Sequence, residues 1–325
     1  MIDCLSSPEW IKPQIDFLLF LQNFRVGYLE SFDKFFLSIT IFGELWLPTL
    51  VCAVVYWCVD CRAGIYLFSL HGINTIVTHL FKMIACVYRP WVLDGRLHPS
   101  ELALPFAKGY SFPSGHSSMS SSVFGGVAYL LRKKKILCAL FIFLVLLIGF
   151  SRLWLGVHTP QDVICGLSIG FILVLLMNPI IDWAEKNPNR YLYLLGAINI
   201  FAVSAYIYMQ FFNTYRIDYI DGKILADPQS QKYIAFVLYA FALGIINGCF
   251  LCRRFFPFNP KDVPVKQRVI RGVIGIALVF CLTQLVFQNI ILNTVTLKFA
   301  LPVLFLAGMF VTLFYPIIFI KLKKI

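Results

Sequence analysis

Three short groups of residues in this chain have the chemistry to bind and attack an anion. Lys82 is followed after six residues by Arg89-Pro90; Pro113-Ser114-Gly115-His116 opens a serine-rich stretch; Ser151-Arg152 is followed by His158 after five residues and Asp162 after three more. Lys82, Arg89 and Arg152 are fixed positive charges, and a guanidinium can hold two phosphoryl oxygens at once. Ser114 is a good N-cap and Gly115 lets backbone come close to a ligand, so a helix starting there aims free N–H groups at a phosphate. In His158-Thr159-Pro160-Gln161-Asp162, Thr159 can cap and Pro160 suits the first helical position. His158 and Asp162 then come within reach across the helix start. A carboxylate bonded to one ring nitrogen fixes the tautomer and leaves the other nitrogen free to attack.

Each piece alone has an ordinary reading. A lysine at a span end snorkels to the interface, Arg152 could anchor to headgroups, Pro-Ser-Gly is a common turn, and His158 with Asp162 could be a structural helix-start pair. Order, spacing and sidedness agree across all of them, which unrelated pieces would not do. His71 and His79 lack such support and read as interior hydrogen-bonding residues. His98 and Lys108, in the stretch 87–112, are candidate substrate-entrance groups.

The elements that must position these groups are membrane helices. With 59% hydrophobic and 14% charged residues over 325 positions and a mean hydropathy of +0.79, the chain is too apolar for an ordinary soluble domain. The expected fold is all-α, a polytopic membrane helix bundle. Apolar segments long enough to span recur near 33–57, 64–86, 114–131, 136–155, 160–180, 191–211, 233–252, 271–291 and 299–320, each close to the roughly 20 residues a bilayer requires. The stretch 15–26 is too short to span and reads as an interfacial helix. The first thirty residues lack the pattern of a cleaved signal peptide.

The formal charge of +12 is distributed by topology. If the first span runs inward, sixteen of the 28 basic residues fall in inner segments, including the run Arg132-Lys133-Lys134-Lys135. The N-terminus is therefore expected outside and the C-terminus in the cytoplasm, with all three motifs at the non-cytoplasmic face. The basic residues do not form an aromatic-interleaved soluble surface, so no nucleic-acid partner is expected. The ten cysteines fall mostly inside spans as small apolar residues; the pairs Cys58/Cys61 and Cys249/Cys252 lack further ligands for a metal. Three regions are expected: 1–32 interfacial, 33–211 a six-helix core holding the chemistry, and 212–325 an extension of about three spans.

The three groups, in this order and spacing, resemble the signature of the type-2 phosphatidic acid phosphatase superfamily, matched without departure over a core of roughly 33–211. The resemblance implies that His158 attacks phosphorus to form a phosphohistidine, that His116 protonates the departing oxygen, and that Asp162 orients His158. Lys82, Arg89, Ser114, Gly115 and Arg152 would hold the phosphoryl oxygens, with no metal and no cofactor.

The expected function is hydrolysis of a lipid phosphomonoester or polyprenyl diphosphate on the outer side. A glucose-6-phosphatase-like hydrolase of a soluble sugar phosphate is the alternative, sharing a nine-span topology. A phosphotransferase passing the phosphoryl group to an acceptor lipid would use the same site. The vanadium haloperoxidases share the signature but are soluble, and a channel or scaffold would leave an intact signature idle.

Overall fold

The computed structural model describes residues 8–28, 32–107, 109–213, 215, 217–220, 223–282 and 296–322. Nearly all are helical. In chain order the helices are α1 Pro8–Tyr28, α2 Phe32–Thr40, α3 Trp46–Val54, α4 Cys61–Ala85, α5 Gly115–Leu130, α6 Lys135–Trp154, α7 Pro160–Glu185, α8 Arg190–Ile207, α9 Pro228–Phe255, α10 Val265–Leu282, α11 Leu297–Met309 and α12 Tyr315–Leu322. A two-residue antiparallel pairing joins Tyr219–Ile220 to Lys223–Ile224.

Six helical stretches among the described residues are long and apolar enough to cross a bilayer, or seven if Phe32–Gly43 and Trp46–Val59 form one bent span. The sequence pattern gives nine, and the difference has identifiable sources. The third expected span is α5, only 16 residues long, about 24 Å at the usual helical rise. The eighth expected span begins in α10 and continues beyond residue 282, outside the described residues.

Polarity is distributed as a lipid solvent requires. On α6, Ile136, Leu140, Phe143 and Leu146 are exposed, while Ser117, Ser118, Ser120, Ser121 and Ser122 of α5 are buried. With hydrocarbon outside, apolar side chains need no protein cover, and buried polar groups must find partners within the bundle. Thus Ser118 Oγ lies 3.0 Å from Thr78 Oγ1, and Ser121 Oγ donates to Leu167 O at 2.8 Å.

The chain forms two compact units. The first comprises Met1–Glu44, Val77–Phe171 and Ile207–Lys232, and every motif residue belongs to it. Within it α5 and α6 run along each other, and α1 and α2 pack on α6. The start of α7 comes close to α5 because both present small residues: a Cβ added at Gly166 would lie 2.6 Å from Ser114 O, and one at Gly170 2.6 Å from Ser121 Cβ. Close backbone approach of this kind holds membrane helices together when no hydrophobic drive separates protein from solvent.

The second unit comprises Leu45–Ile76, Ile172–Tyr206 and Tyr233–Ile325. Its interior holds fully buried Tyr56, Trp57, Tyr66, Phe68, Phe241 and Phe250, whose polar ends are satisfied by backbone: Trp57 Nε1 donates to Val311 O at 3.0 Å and Tyr66 to Val174 O at 3.0 Å. His71 is buried there, its Nε2 2.9 Å from Thr49 Oγ1.

Candidate active site

The start of α7 is built by its own capping chemistry. Thr159 N–H donates to Asp162 Oδ2 at 2.8 Å, and Asp162 N–H donates back to Thr159 Oγ1 at 3.4 Å. This reciprocal arrangement is a capping box with aspartate in the third helical position. The same Oδ2 accepts the Ser111 hydroxyl at 2.6 Å and stands 3.3 Å from His158 Nδ1. His158 Nδ1 is also 3.2 Å from Ser111 Oγ. A residue held rigid by helix capping therefore fixes the imidazole beside it.

The other ring nitrogen faces a cation. Arg89 Nη1 donates to His158 Nε2 at 3.0 Å and to Val157 O at 2.8 Å, and Arg89 Nε donates to Gly109 O at 3.0 Å. A guanidinium has no acceptor, so Nε2 must present its lone pair and the proton belongs on Nδ1, toward Asp162 and Ser111. His158 sits in the turn between α6 and α7 and is 2% exposed. Burial first, then the charges of Arg89, Arg152 and Lys82, push its pKa well below that of an ordinary imidazole. An imidazole that accepts at Nε2 is neutral, with its lone pair on the side of the arginine.

α5 begins beside this turn. Ser114 is extended and caps the helix, its Oγ accepting from Ser117 N–H at 3.4 Å. Its own N–H donates to Asp162 O at 2.9 Å, which ties the second motif to the third. The N–H groups of Gly115 and His116 stand at the first helical positions, where no intrahelical carbonyl can reach them. A Cβ added at Gly115 would meet nothing within 4 Å. The position of that Cβ is open, and the N–H groups and dipole of a helix start favour an anion. His116 rests on the backbone of the turn after α2, since a Cβ at Gly43 would lie 2.9 Å from His116 Cβ.

The remaining cations differ in their engagement. Lys82 Nζ donates to Tyr110 O at 2.8 Å, Ser111 O at 3.1 Å and Pro113 O at 3.2 Å. These three donors hold the loop carrying Ser111 and Ser114. A buried ammonium must satisfy its N–H groups, and loop carbonyls are the nearest acceptors. Arg152 Nη1 donates to Thr40 Oγ1 at 2.5 Å, while its buried Nε and the buried Oδ1 of Asp162 have no hydrogen-bond partner among the described residues.

Hydrogen bonds thus join Lys82, Arg89, Ser114, His158 and Asp162 into one cluster, with Gly115 and His116 following Ser114 on the same helix. Among the described residues His98 is not joined to it: the residue is exposed and bonded through its backbone, its N–H to Gln22 Oε1 at 2.6 Å and its carbonyl to Arg25 Nη2 at 2.5 Å. Lys108 lies outside the described residues. Two members escaped the sequence reading. Ser111 precedes Pro113 by two residues and stands outside all three motifs. Thr40 is 112 residues from Arg152, and nothing in the sequence links them.

Residues 62–186 match the PAP2 superfamily, and residues 236–324 match the PAP2 superfamily phosphatase transmembrane extension. Phosphatidylglycerophosphatase B of Bacillus subtilis is 33% identical over 104 residues, covering 30% of this chain and 50% of that protein. An undecaprenyl-diphosphatase of Sulfolobus acidocaldarius is 30% identical over 126 residues, covering 39% and 58% respectively. The chain spans about half the length of the curated relatives it matches. A crystal structure of a transmembrane PAP2-type phosphatidylglycerolphosphate phosphatase from Bacillus subtilis is similar with a TM-score of 0.45 at 22% identity, covering 57% of this chain and 90% of that one. The residues from Lys82 to Asp162 all fall inside the first matched region, and the chain is a multi-pass membrane protein of the PAP2 superfamily that carries the superfamily's transmembrane extension.

Proposed function

We propose that the protein is a membrane phosphatase that removes phosphate from a lipid phosphomonoester or polyprenyl diphosphate at the non-cytoplasmic face, through a phosphohistidine and without a metal. The observation that carries this reading is the state of His158: a neutral imidazole whose Nε2 lone pair is held beside Arg89, next to an open helix start. The lone pair attacks phosphorus, the P–O bond to the lipid breaks, and the departing oxygen takes a proton from His116. Water then attacks the phosphoryl group while His116 accepts its proton, the P–N bond breaks, and inorganic phosphate leaves. Asp162 stabilises the charge that develops on the ring. Arg89, Arg152 and the N–H groups at Gly115 and His116 bind the phosphoryl oxygens as they gain charge, the usual source of the largest rate term in such transfers. Lys82 adds positive charge and keeps the loop in place.

The lipid class is supported by the names of the relatives, phosphatidylglycerophosphatase B and undecaprenyl-diphosphatase. Phosphate release by purified protein, with chelator present, from matched lipid phosphates, polyprenyl diphosphates and soluble sugar phosphates tests the reading. Preference for a lipid, lost in His158→Ala and inhibited by vanadate as a mimic of five-coordinate phosphorus, is expected. Turnover of sugar phosphates alone would overturn the lipid assignment, and phosphate appearing on a second lipid would make the protein a transferase.

A further inference from the structure

The first helix, α1, has a division of faces that neither a soluble nor a spanning helix shows. With successive residues turned by about 100°, Ile11, Ile15, Leu18 and Leu21 form one sector, and all four are buried against the protein. Trp10, Phe17, Phe20 and Phe24 form a second sector roughly 80° wide, and all are exposed, Trp10 by 58% and Phe20 by 65%. Glu9, Lys12, Asp16 and Asn23 form a third, also exposed. A soluble surface helix has an inner and a polar sector; a lipid-facing span has no charged sector. Three sectors fit a helix lying where protein, hydrocarbon and water meet.

The same helix is bonded to the candidate active site. Gln14 Oε1 accepts the N–H of Gln161 at 2.9 Å, and Gln14 Nε2 donates back to Gln161 Oε1 at 3.2 Å. Trp10 Nε1 donates to Gln161 Oε1 at 2.5 Å. The Gln161 N–H is one of the donors that a helix start leaves unpaired, and Gln161 adjoins Asp162. Further along, Gln22 Nε2 donates to Arg96 O at 3.0 Å, and Gln22 and Arg25 hold the backbone of His98.

We propose that α1 lies in the lipid headgroup boundary, with its aromatic sector in the acyl region and its charged sector in water, and that Gln14 and Trp10 hold the turn of His158 and Asp162 at the height of a lipid phosphate. The partner of this surface is the bilayer itself. The membrane placement is independent of the enzyme activity, whereas its consequence for turnover rests on the lipid phosphatase reading.

Two measurements test it together. In vesicles, the emission lost on Trp10→Phe reports Trp10; it is expected to be quenched by phosphatidylcholine brominated near the headgroup end of the chain more than by lipid brominated near the chain terminus. Trp10 emission reached by aqueous iodide and untouched by brominated lipid would overturn the placement. The double variant Phe17→Ser with Phe20→Ser changes two exposed side chains away from the chemistry. It is expected to lower turnover of long-chain lipid phosphate in vesicles by roughly tenfold or more and to leave a short-chain water-soluble lipid phosphate unchanged, while Gln14→Ala lowers both. Unchanged turnover of both substrates by the double variant, or equal losses on both, would overturn the functional consequence. If the wild type hydrolyses no lipid phosphate, the phosphatase reading falls while the quenching result still decides where α1 lies.

Discussion

Arg89 and His158 meet at 3.0 Å, guanidinium Nη1 to imidazole Nε2. The arginine can only donate, so this one contact assigns the tautomer of the histidine and aims its lone pair. On the proposed mechanism Arg89 is also a placeholder: when phosphoryl oxygens arrive, a charge-assisted bond to them is stronger than one to a neutral ring, and transfer of the arginine to the substrate would uncover the attacking nitrogen. Binding and activation would then be one movement of one side chain.

On that account Arg89→Lys is not a conservative change. Lysine supplies the charge but not the fork that bonds Gly109 O, Val157 O and the ring together. Turnover on lipid phosphate should fall by at least about tenfold, with kcat reduced as well as KM raised. A kinetic profile equal to wild type would contradict the placeholder role.

Ser111 divides the Asp162 carboxylate with the histidine, and its loss should loosen the ring. Removing one buried bond costs about 1–2 kcal/mol, so Ser111→Ala is expected to lower kcat roughly tenfold with little change in KM. Asp162→Asn should cost more than Ser111→Ala and less than His158→Ala, which is expected to abolish turnover. Steady-state kinetics on one substrate ranks all three; a Ser111→Ala effect confined to KM would reassign the serine to substrate binding.

Nearly all of the candidate site is legible in the sequence, because its residues are set by local chemistry: Thr159, Pro160 and Asp162 start a helix, Ser114 caps another, and the spacings follow. What the sequence hid is tertiary. Lys82 is occupied by loop carbonyls because a buried ammonium takes the nearest acceptors, and no spacing rule announces that. Thr40 reaches Arg152, and Gly43 backs His116, from a segment with no chemistry of its own. The fold class and the membrane helices are equally plain from hydropathy, yet α5 is shorter than the span expected there. Its buried serines earn it a place among helices rather than in lipid, and hydropathy windows do not register that difference.

The pH dependence follows from the same burial. On the proposed mechanism the reactive form of His158 is neutral, and its pKa is depressed, first by burial and then by Arg89, Arg152 and Lys82. The acid limb of kcat/KM attributable to this group should therefore lie below the ordinary imidazole value of about 6.5. Arg89→Gln removes the nearest positive charge and should move that limb upward. Because a phosphomonoester titrates near pH 6 itself, the profile is best compared across substrates of different phosphate pKa. A limb that tracks the substrate and ignores Arg89→Gln would contradict the assignment.

The close approach of α7 to α5 gives a stability prediction. A methyl at Gly166 would crowd Ser114 O, whereas one at Gly196 of α8 meets nothing within 4 Å. Gly166→Ala is expected to destabilise by about 1–3 kcal/mol and to lower the thermal unfolding midpoint in detergent; Gly196→Ala should not. Equal midpoints for the two variants would mean that the helices are not held at this distance.

The central claim is that His158 Nε2 carries the phosphoryl group. Brief reaction with a radiolabelled lipid phosphate, alkaline quenching and peptide mapping read it directly, since a phosphoryl–imidazole bond survives base and is lost in mild acid. A base-stable, acid-labile label on His158, absent from His158→Ala, is the expected result. A label on any other residue, or undiminished turnover by His158→Ala, would contradict it.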